Sequence, residues 1–237
     1  MTLNAGLALF VNYLVPAFIV ICSMFIGTVS IKKWLSEPNN HEQIFYWGIS
    51  FVIIGLAFAN LLSCAVFDVG IKNCFVIRLW IVTAIWFQLF AIASIKTVTE
   101  QTRKKLRLVM WSSFIIILTT ASLLATTSLE ANQCASTGLL GVKLSEPVKA
   151  GLVFDLFYLV LTRAIISYLT PIRNFRYAYF SLYSAFVLFL MSRLTSIINT
   201  LVCDFNNVHL VYGEWALILA AFIYLVLSVY NLVIYNK

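Results

Sequence analysis

Several charged side chains stand inside, or immediately before, long apolar stretches of this sequence. These residues are Arg78, Asp155, Arg163, Arg193 and Glu214. A charged side chain is costly in lipid unless it has partners, so such residues usually face a bundle interior or a polar cavity. Asn60 and Gln88 add uncharged hydrogen-bonding groups at comparable depths. We therefore predict that these residues line one substrate-binding cavity.

The charges in this predicted cavity suggest what it binds. The predicted set contains three arginines and two carboxylates, so its formal charge is +1. Arginine presents a fork of donors that matches phosphate or carboxylate, so the excess charge favours an amphipathic, lipid-like molecule with an anionic headgroup. An alternative is that the charges pair with one another and only fix how the helices pack. Arg78 can also extend to the membrane surface, which would remove the excess charge.

The elements that would position these residues are seven apolar stretches, each long enough to cross a hydrocarbon core of about 30 Å. They cover residues 7–31, 44–67, 74–95, 108–129, 151–169, 179–202 and 215–235. The sequence is 62% hydrophobic and only 11% charged, whereas soluble domains carry roughly 25% charged residues. We therefore predict an all-α membrane protein with one domain, residues 1–237, folded as a bundle of seven transmembrane helices.

The loop charges predict the orientation of this bundle. Ten Lys and Arg residues fall in loops on one side, including segment 103–107, and three fall in loops on the other. The positive-inside rule then places the N-terminus outside and the C-terminus in the cytoplasm, in a plasma membrane or endomembrane. We interpret the net charge of +7 as this topology signal, with no nucleic-acid partner. Trp47 and Trp215, near span ends, fit interfacial aromatic belts.

At a rise of about 1.5 Å per residue, the charged positions fall in the outer half of the membrane or near its midplane. The predicted cavity should therefore open toward the outside.

Residues for common catalytic and cofactor sites are scarce. The two histidines, His41 and His209, fall in loops on opposite sides, so they cannot form a haem or zinc site within the membrane. The seventh span has no lysine before Lys237, which removes the attachment point for a retinal. Gly-rich phosphate loops and nucleophile elbows are also missing. We expect no enzymatic activity, no cofactor and no metal, and the sequence does not indicate an oligomeric state.

The last two spans contain a spaced set of residues found in a known family. Leu182 and Tyr183 precede Arg193 by about ten positions, and Glu214, followed by Trp215, stands 21 positions after Arg193. This arrangement resembles the fungal RTA-like lipid-translocating exporters, seven-span proteins linked to resistance against toxic amphiphiles and sphingoid bases. The resemblance covers roughly the last 60 residues.

This resemblance implies that the protein binds, moves or exports an amphipathic, lipid-like molecule through the predicted cavity. The chain departs from the family where a second arginine, a glutamate and an aspartate would fall, at or near Ile197, Thr200 and Ala221. It carries no ATP-binding motif, so any transport would be passive, exchange-type or coupled to a gradient.

A heptahelical receptor of the G-protein-coupled type is the alternative function. The predicted orientation and the basic segment 103–107 favour it. Cys74 and Cys134 stand where such receptors keep a disulfide, and this likeness implies a Cys74–Cys134 bridge, with Cys64–Cys203 as a weaker second. Against a receptor, the third span ends in Ile-Lys-Thr-Val-Thr-Glu, without an Asp-Arg-Tyr type switch.

Overall fold

The computed structural model describes residues 9–37, 42–67, 72–94, 146–174, 176–202 and 208–235, with residues 6, 104, 108 and 111 in isolation. This described part contains six α-helices, which we number α1 to α6. They are Val15–Ser36, Glu42–Phe67, Lys72–Ala93, Glu146–Leu169, Tyr177–Val202 and Val208–Val229. Short π-helical segments, Phe10–Leu14 and Tyr230–Tyr235, flank α1 and α6.

Four of the described helices are long and apolar enough to cross a membrane. These candidate spans are Val15–Ser36, Glu42–Ser63, Tyr177–Ile198 and Tyr212–Leu232. Helices α3 and α4 have shorter described apolar parts, Trp80–Ile92 and Tyr158–Leu169. For the described residues, the prediction of an all-α membrane protein is therefore confirmed. The predicted fourth span, 108–129, lies outside the described residues except at positions 108 and 111, so the number of seven crossings stays a prediction.

The six described helices form a ring. Each packs against the next along the chain, from α1 to α6, and α6 returns to contact α1. Side chains such as Phe51, Phe186 and Phe222 belong to the core between the helices and are fully buried or nearly so. The outer surface exposes large apolar side chains, including Ile21 at 69% and Val160 at 64%. Exposed apolar area on this scale suits contact with lipid better than contact with water.

Glycines bring α1 and α2 unusually close together. A Cβ atom added at Gly27 would lie 2.8 Å from Cγ2 of Val52 and 3.1 Å from the carbonyl oxygen of Gly48. One added at Gly48 would lie 2.7 Å from Cγ1 of Ile31. Small residues at helix contacts are typical of membrane bundles, where close van der Waals packing holds helices together.

Serine hydroxyls connect α5 to α6 in two places. Ser228 donates a 2.7 Å hydrogen bond to the carbonyl oxygen of Ala178. Ser181 donates a 3.0 Å hydrogen bond in the opposite direction, to the carbonyl oxygen of Tyr224. Such bonds satisfy polar groups that lipid cannot hydrate, so they stabilise this helix pair.

The structure corrects the prediction for Trp47. Its side chain is fully buried, so its placement in an interfacial belt is wrong. Trp47, Phe51, Ile54 and Phe58 recur at helical spacing on α2, and all four are buried. The face of the helix therefore decides where this tryptophan lies, rather than its distance from the helix end.

Candidate functional site

Arg193 stands at the centre of a charged cluster between three helices. From α5, its Nη2 donates a 2.7 Å hydrogen bond to Oε1 of Glu214 on α6. Its Nη1 lies 3.6 Å from Oδ1 of Asp155 on α4. The guanidinium also contacts the hydroxyl of the preceding Ser192, with both Nε and Nη2 at 3.3 Å from its Oγ. One arginine thus joins carboxylates from two other helices.

Tyr158 completes this cluster, and the sequence analysis missed it. The centre of its ring lies 5.5 Å from Cζ of Arg193, within the range of a cation–π interaction. Tyr158 follows Asp155 by three residues on α4, so the two side chains share one face of the helix. That spacing was the available signal, because any residue three or four positions from a charged site residue is a candidate neighbour.

The three charged residues lie in the same half of the bundle. Asp155 is nine residues from the start of α4, Glu214 is six residues from the start of α6, and Arg193 is nine residues from the end of α5. These intervals correspond to roughly 9–14 Å along each helix. Because α4, α5 and α6 alternate in direction, the three helix ends lie on one side of the bundle, and the cluster lies between that side and the midplane.

A cavity of about 70 Å³ lies beside the cluster, and all six described helices contribute to its wall. Eight of its twelve lining residues are isoleucine or phenylalanine. The polar groups in the wall come from Gln88, Asp155, Tyr158 and Arg193. Pockets for drug-sized ligands measure about 300–1,000 Å³. In this conformation the cavity therefore accommodates only a small polar group or a short piece of chain.

The remaining predicted site residues differ in whether the structure places them at the cavity. Glu214 does not line the cavity itself but contacts Arg193, which does. Asn60 is partly buried on α2 and is not among the lining residues. Arg78 belongs to α3, and its side chain lies outside what the structure describes.

Arg163 is not brought to this cavity. Its side chain is exposed on α4, and it is not among the lining residues. Eight residues separate it from Asp155, a rotation of about 80° around the helix axis, and this rotation turns its side chain from the buried side of α4, where Asp155 lies, to the exposed side. Without Arg163, the predicted set retains two arginines and two carboxylates. The excess charge that favoured an anionic headgroup is therefore gone.

The predicted disulfides fall largely outside the described residues. Cys134 and Cys203 are not described, and neither are the side chains of Cys64 and Cys74. The Cys74–Cys134 and Cys64–Cys203 bridges therefore stay predictions. Cys22, which is described, is a free thiol on α1.

The chain matches no family model, no curated protein and no solved structure. The resemblance to RTA-like exporters therefore rests on the residues of this chain between positions 182 and 215. Two residues of that set, Arg193 and Glu214, are in direct contact. Any function proposed for the chain must be argued from the chemistry of the cavity and its charged cluster.

Proposed function

We propose that this protein binds an amphipathic, lipid-like molecule and moves it across or out of the membrane, as a divergent RTA-like exporter. The observation that carries the proposal is one cavity whose wall is largely apolar and also includes Arg193 and Asp155. An amphiphile needs both features, since its chain requires apolar contacts and its headgroup requires charged or polar partners.

Arg193 and Asp155 are the groups that would engage the headgroup. Their 3.6 Å contact is longer than a charge-assisted hydrogen bond of about 2.7–2.9 Å. An anionic oxygen of the ligand can therefore replace Asp155 at Nη1 while Glu214 keeps its bond to Nη2. A cationic or hydroxyl headgroup can instead use the carboxylate of Asp155. Because Arg163 does not reach the cavity, the charge of the predicted set does not select between these headgroups.

The small size of the cavity limits how a ligand can pass through the protein. At about 70 Å³ it holds a headgroup and the adjacent carbons, while the rest of a lipid-like molecule must lie elsewhere. Passage of the whole molecule therefore requires the helices around the cavity to separate. The proposed cycle alternates between this closed packing and a conformation in which the cavity widens.

The proposal includes the full topology of seven crossings, with the N-terminus outside and the C-terminus in the cytoplasm, in a plasma membrane or endomembrane. The excess of Lys and Arg in the loops of one side supports it. In this orientation, the charged cluster occupies the outer half of the bundle.

Equilibrium binding to the full chain in lipid nanodiscs tests the proposal. The probes are three fluorescent amphiphiles with the same tail and a phosphate, a carboxylate or an amine headgroup. We expect saturable binding of at least one probe, weakened about 10- to 100-fold by Arg193→Met, because a charged hydrogen-bond partner is lost. Arg163→Met, which removes an exposed arginine, should bind like the wild type. The proposal fails if no probe binds saturably, or if the two variants behave alike.

A further inference from the structure

One polar group of the cavity is not explained by the charged cluster. Gln88 is only 1% exposed, and its Oε1 has no hydrogen-bond partner among the described residues. The same side chain forms part of the cavity wall. An amide oxygen that is buried without a partner is costly, and native interiors contain few of them.

Gln88 belongs to a stripe of α3 that lines the cavity, so a bound ligand can supply the missing partner. Ile81, Ile85 and Gln88 recur at helical spacing on α3, and all three line the cavity. The glutamine thus presents an amide at the end of an otherwise apolar stripe. A ligand that fills the cavity with hydrocarbon alone would leave this oxygen unsatisfied, whereas a ligand with a suitably placed donor would satisfy it.

Gln88 also lies deeper in the bundle than the charged cluster. It is 16 residues from the start of α3, and Arg193 is nine residues from the end of α5. These two helix ends lie on the same side of the bundle. Helix α3 is antiparallel to α2 and α2 to α1, while the starts of α1 and α6 meet where Phe10 and Tyr212 line one surface pocket. At about 1.5 Å per residue, Gln88 lies roughly 10 Å farther from that side than Arg193. A headgroup bound at Arg193 would therefore not be the group that reaches Gln88.

We propose that Gln88 is a specificity-determining residue that accepts a hydrogen bond from a hydroxyl or amine on the chain of the ligand, separate from the headgroup held at Arg193. The inference rests on the proposed function, because it concerns the same cavity. It narrows the ligand from any amphiphile to one whose chain carries a second polar group.

Thr162 provides a matched control for this inference. Its Oγ1 is also buried without a partner among the described residues, but it does not line the cavity. Gln88→Met removes the side-chain amide, including its Oε1, and Thr162→Val removes the hydroxyl, while both keep a similar side-chain volume. Both variants should therefore fold at least as stably as the wild type, and they should differ only in how they bind ligand.

The test compares two forms of each of the three fluorescent amphiphiles, one with a hydroxyl in mid-chain and one with a methoxy group at the same carbon. The methoxy form keeps an oxygen but cannot donate. We expect the wild type and Thr162→Val to bind the hydroxyl forms about 3- to 10-fold more tightly, the effect of one neutral hydrogen bond. Gln88→Met should lose this preference.

Three outcomes separate failure of this inference from failure of the proposed function. If the wild type binds both forms saturably and equally, the role of Gln88 is overturned while the binding function stands. A preference that persists unchanged in Gln88→Met overturns the role as well. If none of the amphiphiles binds saturably in any form, the proposed function fails and the inference fails with it.

Discussion

Glu214 and Arg193 are 21 positions apart in the sequence, and their side chains meet at 2.7 Å between Oε1 and Nη2. The contact joins α6 to α5, and Asp155 extends the connection to α4 through the other terminal nitrogen of the same guanidinium. Inside a membrane protein, where water is scarce, charged side chains such as these are stabilised by pairing with one another. The cluster therefore has two roles. It connects three helices, and it supplies charged groups to the proposed binding cavity.

Removing the central cation should destabilise the bundle. Arg193→Met keeps most of the side-chain volume but takes the shared partner from Asp155 and Glu214. Breaking a buried ion pair by removing one partner costs about 3–5 kcal/mol in the free energy of unfolding. Chemical or thermal unfolding of the purified protein measures this loss. Arg163→Met serves as the control because Arg163 is exposed, and equal losses in both variants would contradict the assigned role of Arg193.

Neutralising the two carboxylates as well should recover most of the stability that Arg193→Met loses. The variant Asp155→Asn, Arg193→Met, Glu214→Gln removes all three described charges of the cluster together. Replacing a whole buried ionic group by neutral residues is often close to neutral for stability. The triple variant should therefore unfold nearer to the wild type than Arg193→Met does. If the triple variant is less stable than the single variant, the coupling between these residues is not electrostatic.

The close approach of α1 and α2 predicts a packing defect in Gly27→Ala. The added methyl group would meet Val52 and the backbone of Gly48, so the helices must shift apart. Overpacking of this kind typically costs about 1–3 kcal/mol. At Gly213 a Cβ atom meets nothing within 4 Å, so Gly213→Ala should be neutral or slightly stabilising. Thermal unfolding of the two variants under the same conditions should separate them, and equal stability would contradict the described helix contact.

The direction in which each side chain points from its helix explains which parts of the site could be predicted from the sequence. Arg193, Asp155 and Gln88 were found because charged and amide groups are rare in apolar spans, and the structure brings them to one cavity. Arg163 was included on the same ground, yet it lies on another face of α4 from Asp155. Composition identifies an unusual residue, but the rotation of each helix about its axis decides what that residue faces.

The pairing of the charged residues could not be read from the sequence for a related reason. Contacts between Arg193 and the carboxylates cross three helices, so they depend on which helices are neighbours and how far each is shifted along its axis. Within one helix the periodicity is sufficient, and it would have identified Tyr158 from its spacing to Asp155. The apolar wall of the cavity gave no signal, because isoleucine and phenylalanine also line ordinary cores and lipid-facing surfaces.

The proposed orientation predicts that the two ends of the chain lie on opposite sides of the membrane. Epitope tags on the N- and C-termini, probed in intact and in permeabilised cells or vesicles, measure this directly. The N-terminal tag should be accessible from outside and the C-terminal tag only after permeabilisation. Tags accessible from the same side would indicate an even number of crossings and would contradict the seven-span topology.

The central claim is that an amphiphile occupies the cavity beside Arg193, and binding to a cavity-filling variant tests it most directly. Ile218 lines this cavity, whereas Ile223, on the same helix, is 41% exposed on the outer surface. Ile218→Phe narrows the cavity while keeping every charge of the cluster, and Ile223→Phe adds the same volume on the outside. We expect Ile218→Phe to weaken saturable binding of the fluorescent amphiphiles about tenfold, with Ile223→Phe unchanged. Wild-type binding by Ile218→Phe would show that the ligand does not enter this cavity.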